Sequence, residues 1–183
     1  RAVQYAKKEK IESLAAPLSA GGEKDAEDTA KIFAANAVMA AFEYTRYKTL
    51  PKEGWPKIKT IFAAVAKNNA ADIKTGLREG LVIGEEANYC RELANTPGGD
   101  MTPRHLAEAA QKAGRRAGFR VKILDERAIK KLRMGGVLGV AKGSTEKPKF
   151  IILEYRHGPK SQKPLVLVGK GVTFDTGGLN LKP

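Results

Sequence analysis

Three side chains near the end of this 183-residue chain have the types and spacing to do chemistry: Lys170, Asp175 and Lys182. They lie in a glycine-rich stretch, Gly169-Lys170-Gly171-Val172-Thr173-Phe174-Asp175-Thr176-Gly177-Gly178-Leu179-Asn180-Leu181-Lys182-Pro183. Such a turn has three uses. Glycine amides and lysines together attract anions, which suits phosphate cradling. The phosphate-loop spacing Gly-x-x-x-x-Gly-Lys-Ser/Thr is absent, however, because Gly169-Lys170-Gly171-Val172 lacks both the hydroxyl and the upstream glycine. Asp175 can instead be an oxygen ligand to a metal ion. Third, Lys170 and Asp175 can simply pair at the edge of a sheet.

The turn needs a scaffold. Pro164–Val168 is a short apolar run that reads as a buried strand leading straight into it. Upstream, Phe150–Leu153 reads as a second apolar strand, and Phe119, Val121 and Ile123 alternate with Arg120 and Lys122 as a half-buried strand. Thr102-Pro103 starts a helix, with Thr at the N-cap and Pro at N1, that stops at Gly118. Asp125 caps a short helix through Arg133, and Gly135, Gly136 and Gly139 make the segment around Val137-Leu138 glycine-rich. Before residue 95 the pattern is a helix over 25–44 with Ile32, Ala35, Val38, Met39 and Phe42 on its apolar face, a strand over 58–66, and a long helix over 70–93. The last carries Ile73, Leu77, Leu81, Glu85 and Tyr89 at spacing four, widened by Val82, Ala87, Cys90 and Leu93. Gly80 and Gly84 lower its propensity, and glycine at that spacing permits close helix packing. Asn95–Asp100 is the clearest linker. The element order predicts an α/β protein with a mixed sheet after residue 100 and the end of another α/β domain before it.

Composition narrows the function classes. The longest uncharged, mainly apolar run is Ile32–Phe42, shorter than the roughly 20 residues a membrane helix needs, so no membrane partner is expected. No secretory signal is visible, although the chain opens on Arg1 and its start is expected upstream. A lone Cys90 allows no internal disulfide and suits a reducing, cytoplasmic setting. His105 and His157 are not at metal-ligand spacing, so His-rich zinc binding is not expected. Net charge is +13, divided into +3 over residues 1–91 and +10 over 92–183. A basic half suits a nucleic-acid surface. The basic residues hardly interleave with aromatics, which favours instead a charge balanced by acidic polypeptide outside this chain.

The wording of the C-terminal turn closely resembles the metal-binding turn of the leucyl aminopeptidase (cytosol aminopeptidase) family of two-metal peptidases. Asn88-Tyr89-Cys90-Arg91-Glu92-Leu93-Ala94-Asn95-Thr96-Pro97 through Met101-Thr102-Pro103 resembles that family's domain junction. Met134–Ser144 is similar to its next glycine segment, and Phe42-Glu43-Tyr44-Thr45-Arg46-Tyr47-Lys48 fits its N-terminal domain more loosely. The resemblance implies part of an N-terminal α/β (macro-like) domain over 1–69, a linking helix over 70–95, and the start of a mixed-sheet catalytic domain over 96–183. By position it implies that Lys170 ligates one of two divalent metals through its amine, that Asp175 touches both, and that Lys182 polarises the scissile carbonyl and stabilises the oxyanion. An amine ligates only when deprotonated, so dications and burial must lower its pKa. A bridging carboxylate holds two metals about 3.5–4 Å apart, and a protonated lysine stabilises negative charge as it develops. The implied ions are Zn²⁺ or Mn²⁺, with Mg²⁺ and Co²⁺ also compatible; the implied partners are a peptide substrate and, as a homohexamer, further copies of the chain.

One departure stands out. After Glu154 the only acidic residue is Asp175, and the family's later Asn-Thr-Asp-Ala-Glu-Gly-Arg run is absent, as is the aspartate that normally follows the turn. The chain is therefore expected to be a fragment of a longer aminopeptidase that does not close an active centre by itself. The alternatives are a basic nucleic-acid-binding module and a non-catalytic remnant that packs into an oligomer.

Overall fold

The computed structural model describes residues 1–18, 26–65, 70–159 and 161–174. The chain divides into two compact units, Arg1–Asn95 and Thr96–Pro183. The first contains α1 (Ala2–Lys8), β1 (Ser13–Pro17), α2 (Ala26–Ala41), β2 (Thr60–Ala64) and α3 (Ala70–Asn95). β1 and β2 pair in parallel, with Leu14 opposite Ile61 and Ala16 opposite Ala63. Parallel strands need a long crossover, and the segment containing α2 supplies it. β1 carries no strand signal in the sequence, because Ala15-Ala16-Pro17 has low β propensity; its partner makes it a strand.

The core of this unit is a backbone-close contact between α2 and α3. Gly76, Gly80 and Gly84 are buried along one face of α3. They meet the alanine face of α2, where Ala26, Ala30, Ala34, Ala35 and Ala37 are buried. A Cβ at Gly76 would lie 2.0 Å from the Glu27 carbonyl oxygen, and one at Gly80 would lie 2.2 Å from that of Lys31. At Gly84 a Cβ would sit 2.7 Å from the Val38 Cβ. The glycines expected to permit close packing do so. The larger apolar residues do not all form the face that their periodicity predicts: Ile32, Leu81 and Val82 are exposed. Only Ile73 of the α3 set is buried, joining Ala26 and Ala30 with Leu18 and Leu77 packed alongside.

The close approach also satisfies the end of α2. The last carbonyls of a helix lack intrahelical partners, and α2 has no basic residue in its last turn. Asn88 Nδ2 donates to the Val38 carbonyl at 3.0 Å, Arg91 Nη1 to Met39 at 3.0 Å, and Lys7 Nζ to Ala41 at 3.1 Å. Lys7 also donates to Glu43 at 3.0 Å. That hydrogen bond is the largest influence holding the Glu43 carboxyl below its ordinary 4.5, against desolvation.

In the second unit, α4 (Pro103–Ala117) leads into β3 (Arg120–Leu124), α5 (Glu126–Lys131), α6 (Gly135–Ala141) and β4 (Phe150–Glu154). β3 and β4 are antiparallel, with Val121 opposite Leu153 and Ile123 opposite Ile151. Gly118 ends α4 in the left-handed region, φ 73°, with its N–H on the Gly114 carbonyl. Asp125 caps α5 by accepting from the Ala128 amide at 2.9 Å. The glycine segment 135–139 lies within α6, where its glycines stay exposed while Val137 and Leu138 are half-buried.

The expected strand over Pro164–Val168 does not form. Among the described residues it has no ladder partner, and Leu165 to Val168 are 73 to 93% exposed. An apolar run marks a demand for burial, but a strand also requires a neighbour offering N–H and C=O groups. No described strand does so here.

Two outcomes test this packing. Ala at Gly80 gains helix propensity but must push a backbone carbonyl away, so Gly80→Ala should lower stability by about 1–2 kcal/mol on balance. Gly139→Ala, whose Cβ meets nothing within 4 Å, should raise it by up to about 1 kcal/mol. Urea midpoints shifting in the same direction for both would contradict the contact. The Glu43 carboxyl is lowered in the folded state, so its stabilisation is present above 4.5 and lost as pH falls through the lower folded value. Glu43→Gln should therefore flatten the acid limb of the stability–pH curve below pH 4.5.

Candidate metal centre

The candidate turn is described through Phe174, so Lys170 is placed, whereas Asp175 and Lys182 lie outside the described residues. Lys170 is exposed, at the end of the apolar segment that failed to become a strand. The residues after it are seated on the start of the unit. A Cβ at Gly171 would come within 3.3 Å of Leu106 Cδ2, in the first turns of α4. A Cβ at Gly98 would lie 2.8 Å from the Thr173 carbonyl oxygen and 3.3 Å from the Phe174 Cβ. The turn preceding α4 and the start of α4 thus form the floor under the Gly171–Phe174 backbone.

That floor is well ordered by hydrogen bonds. The Asp100 and Met101 amides donate to the Pro97 carbonyl at 2.9 and 2.8 Å. Thr96 and Thr102 are buried on either side. Thr102 stands at the N-cap of α4, as its sequence position predicts, but makes no side-chain cap bond. Its hydroxyl is 3.0 Å from His105 Nδ1, while Arg104 Nη2 is 3.0 Å from His105 Nε2. A guanidinium only donates, so Nε2 must accept, and the proton sits on Nδ1 facing Thr102 Oγ1. Arg104 is held in turn by Glu108 at 2.8 Å. His105 thus links Thr102 to Arg104 at the start of α4.

Among the described residues, no group of three or more His, Cys, Asp or Glu side chains is placed to hold a metal ion. The donors that the chain brings on its turn are one amine and one carboxylate, five residues apart. Their chemistry fits two positions around divalent cations. A separate cleft of about 380 Å³ between α5, α6 and the following loop is lined by Glu126, Lys130, Lys142, Ser144 and Lys147, among others, and by none of the candidate residues. There a hydrogen bond from Lys130 is the largest influence lowering the Glu126 carboxyl. Gly98 and Leu106 carry no chemical signal in the sequence. Only the Pro97-Gly98-Gly99 turn signal marked their neighbourhood.

Comparison with known proteins gives the family of this α/β chain. The cytosol aminopeptidase family, catalytic domain, matches residues 88–183. The chain belongs to the cytosol aminopeptidase family. A probable cytosol aminopeptidase of Methylobacillus flagellatus is 41% identical over 145 residues, covering 79% of this chain and 29% of that protein. One from Chlorobaculum tepidum is 40% identical over 164 residues, covering 86% and 32%. Among solved structures, a tomato leucine aminopeptidase mutant superposes with TM-score 0.85 at 30% identity, over 96% of this chain and 36% of that one. A bottromycin maturation enzyme in complex with Mn superposes with TM-score 0.71 at 26% identity, over 100% of this chain and 37% of that one. The chain thus spans about a third of the length of the relatives it matches. No helix among the described residues is long and apolar enough to cross a membrane.

The hydrogen-bond geometry makes a direct prediction. Nitrogen-detected NMR of the imidazole should show His105 as the Nδ1–H tautomer near neutral pH, and Arg104→Ala should release it to a mixture. Finding Nε2–H in the parent would remove Arg104 from the floor.

Proposed function

We propose that this chain is the metal-turn segment of an aminopeptidase that hydrolyses N-terminal residues from peptides with two divalent ions. The observation that carries the reading is the family match over residues 88–183, which includes the turn holding Lys170, Asp175 and Lys182. In this reading Lys170, through its amine, and Asp175, through its carboxylate, would hold the ions. Bound there, the ions supply an activated water and polarise the scissile carbonyl. Zn²⁺ or Mn²⁺ are the proposed ions, with Mg²⁺ and Co²⁺ compatible. The Mn in the bottromycin maturation enzyme supports the choice of Mn²⁺.

The work of this chain's own residues is positional and electrostatic. Lys170 would offer its amine nitrogen to an ion at the end of the Pro164–Val168 segment. Lys182, kept protonated, places fixed positive charge where the carbonyl oxygen gains negative charge. The remaining carboxylate ligands are proposed to come from polypeptide outside these 183 residues, so the isolated chain should not turn over substrate. A cytoplasmic homohexamer completes the proposal, supported by the family resemblance and by the names of the relatives. A nucleic-acid-binding surface on the basic second half is the alternative, ranked below this reading because the basic residues hardly interleave with aromatics. Arg104, Arg120, Lys130, Lys147 and Arg156 are each engaged with Glu108, Glu154 or Glu126.

In the full-length protein, a strong chelator should abolish release of an N-terminal leucine from a chromogenic substrate, and Mn²⁺ or Zn²⁺ should restore it. Lys182→Ala should lower kcat by about 10²–10³-fold, the scale of losing one oxyanion donor, with little change in bound metal. Asp175→Asn should lose metal as well as activity. Chelator-insensitive turnover would overturn the reading.

A further inference from the structure

We propose that Gly98 is a positioning residue for the metal turn: its missing Cβ lets the turn before α4 press against the Thr173–Phe174 backbone, and that contact sets where Lys170 presents its amine. The inference rests on the reading of Lys170 as a ligand. It comes from a contrast between neighbours. Gly98 has the Thr173 carbonyl oxygen 2.8 Å from where a Cβ would be, while Gly99, the next residue, has nothing within 4 Å. The nearest obstacles at Gly98 are the Thr173 carbonyl oxygen and the Phe174 Cβ, neither of which a rotamer change moves. Nor is Gly98 there for its conformational freedom. Among the described residues only Gly54 and Gly118 are glycines with positive φ.

Among the described residues a second contact also seats this stretch. Gly171 meets Leu106 Cδ2, and Thr173 with Phe174 meets Gly98. Lys170 is joined directly to the first of these seats. The seats themselves do not yield easily. The Asp100 and Met101 amides are tied to the Pro97 carbonyl, and Leu106 donates to the Thr102 carbonyl at 3.0 Å within α4. A methyl group at 98 must therefore move the turn rather than the floor. Displaced supports of a metal ligand cost about 10- to 100-fold in affinity.

The test is calorimetric titration of metal-free full-length protein with Mn²⁺, alongside thermal unfolding of each variant. Gly98→Ala should bind Mn²⁺ about 10- to 100-fold more weakly, and Gly98→Val more weakly still. Gly99→Ala should bind as the parent does. Lys170→Ala is the reference for the ligand itself. If Lys170→Ala weakens binding while Gly98→Ala stays within about twofold of the parent, the positioning role is wrong and the ligand reading survives. If Lys170→Ala binds normally, the ligand reading fails and this inference goes with it. Equal losses from Gly98→Ala and Gly99→Ala would also overturn it, since flexibility rather than room would then matter. Should Gly98→Ala not fold, Leu106→Val is the second variant. It withdraws the other seat without a backbone clash and should weaken Mn²⁺ several-fold; parent-like affinity there would count against the seat.

Discussion

The first unit depends on two helices approaching until backbone meets backbone. Gly76, Gly80 and Gly84 recur every four residues on α3, and each faces a carbonyl or a small side chain of α2. A side chain at any of the three would force the helices apart. Their closeness has a second effect. It brings Asn88 and Arg91 within reach of the Val38 and Met39 carbonyls, which α2 cannot satisfy from its own sequence. Packing and hydrogen bonding at this junction are thus one arrangement. Lys31 adds a cross-helix ion pair with Glu79 at 2.7 Å, and this exposed pair tunes the contact rather than making it.

The second unit uses the same device twice more. At Gly114 a Cβ would lie 2.5 Å from Val121 Cγ2, so α4 lies directly on β3. At Gly98 the absence of a side chain admits the stretch that carries Lys170. That stretch lies against an α4 start whose Thr102, His105 and Arg104 side chains are linked by hydrogen bonds. Gly98, Gly171 and Leu106 decide how closely the stretch from Lys170 to Phe174 approaches the start of α4.

The basic charge of the chain reads differently once the side chains have neighbours. The net charge of +10 after residue 91 already counts Glu108, Glu126 and Glu154, with which five of the eighteen lysines and arginines there pair locally. Exposed pairs of this kind contribute little to stability and mainly disperse charge. The family relationship, not the charge, therefore carries the functional reading.

Much was legible in residue order alone. The α4 limits at Thr102-Pro103 and Gly118, the Asp125 cap, the alternating β3 strand and the long α3 follow from local rules of capping and periodicity, which act over a few residues and are written in them. The wording of the metal turn identified the family. Tertiary structure decided what local rules do not contain. It made Ser13–Pro17 a strand by giving it a partner, left the more apolar Pro164–Val168 without one among the described residues, and buried alanines and glycines where leucine and isoleucine spacing predicted the core. It also singled out Gly98 from Gly99, a distinction invisible in sequence. The reason is the same in each case: pairing, burial and room are properties of two segments meeting, and neither segment encodes the distance to the other.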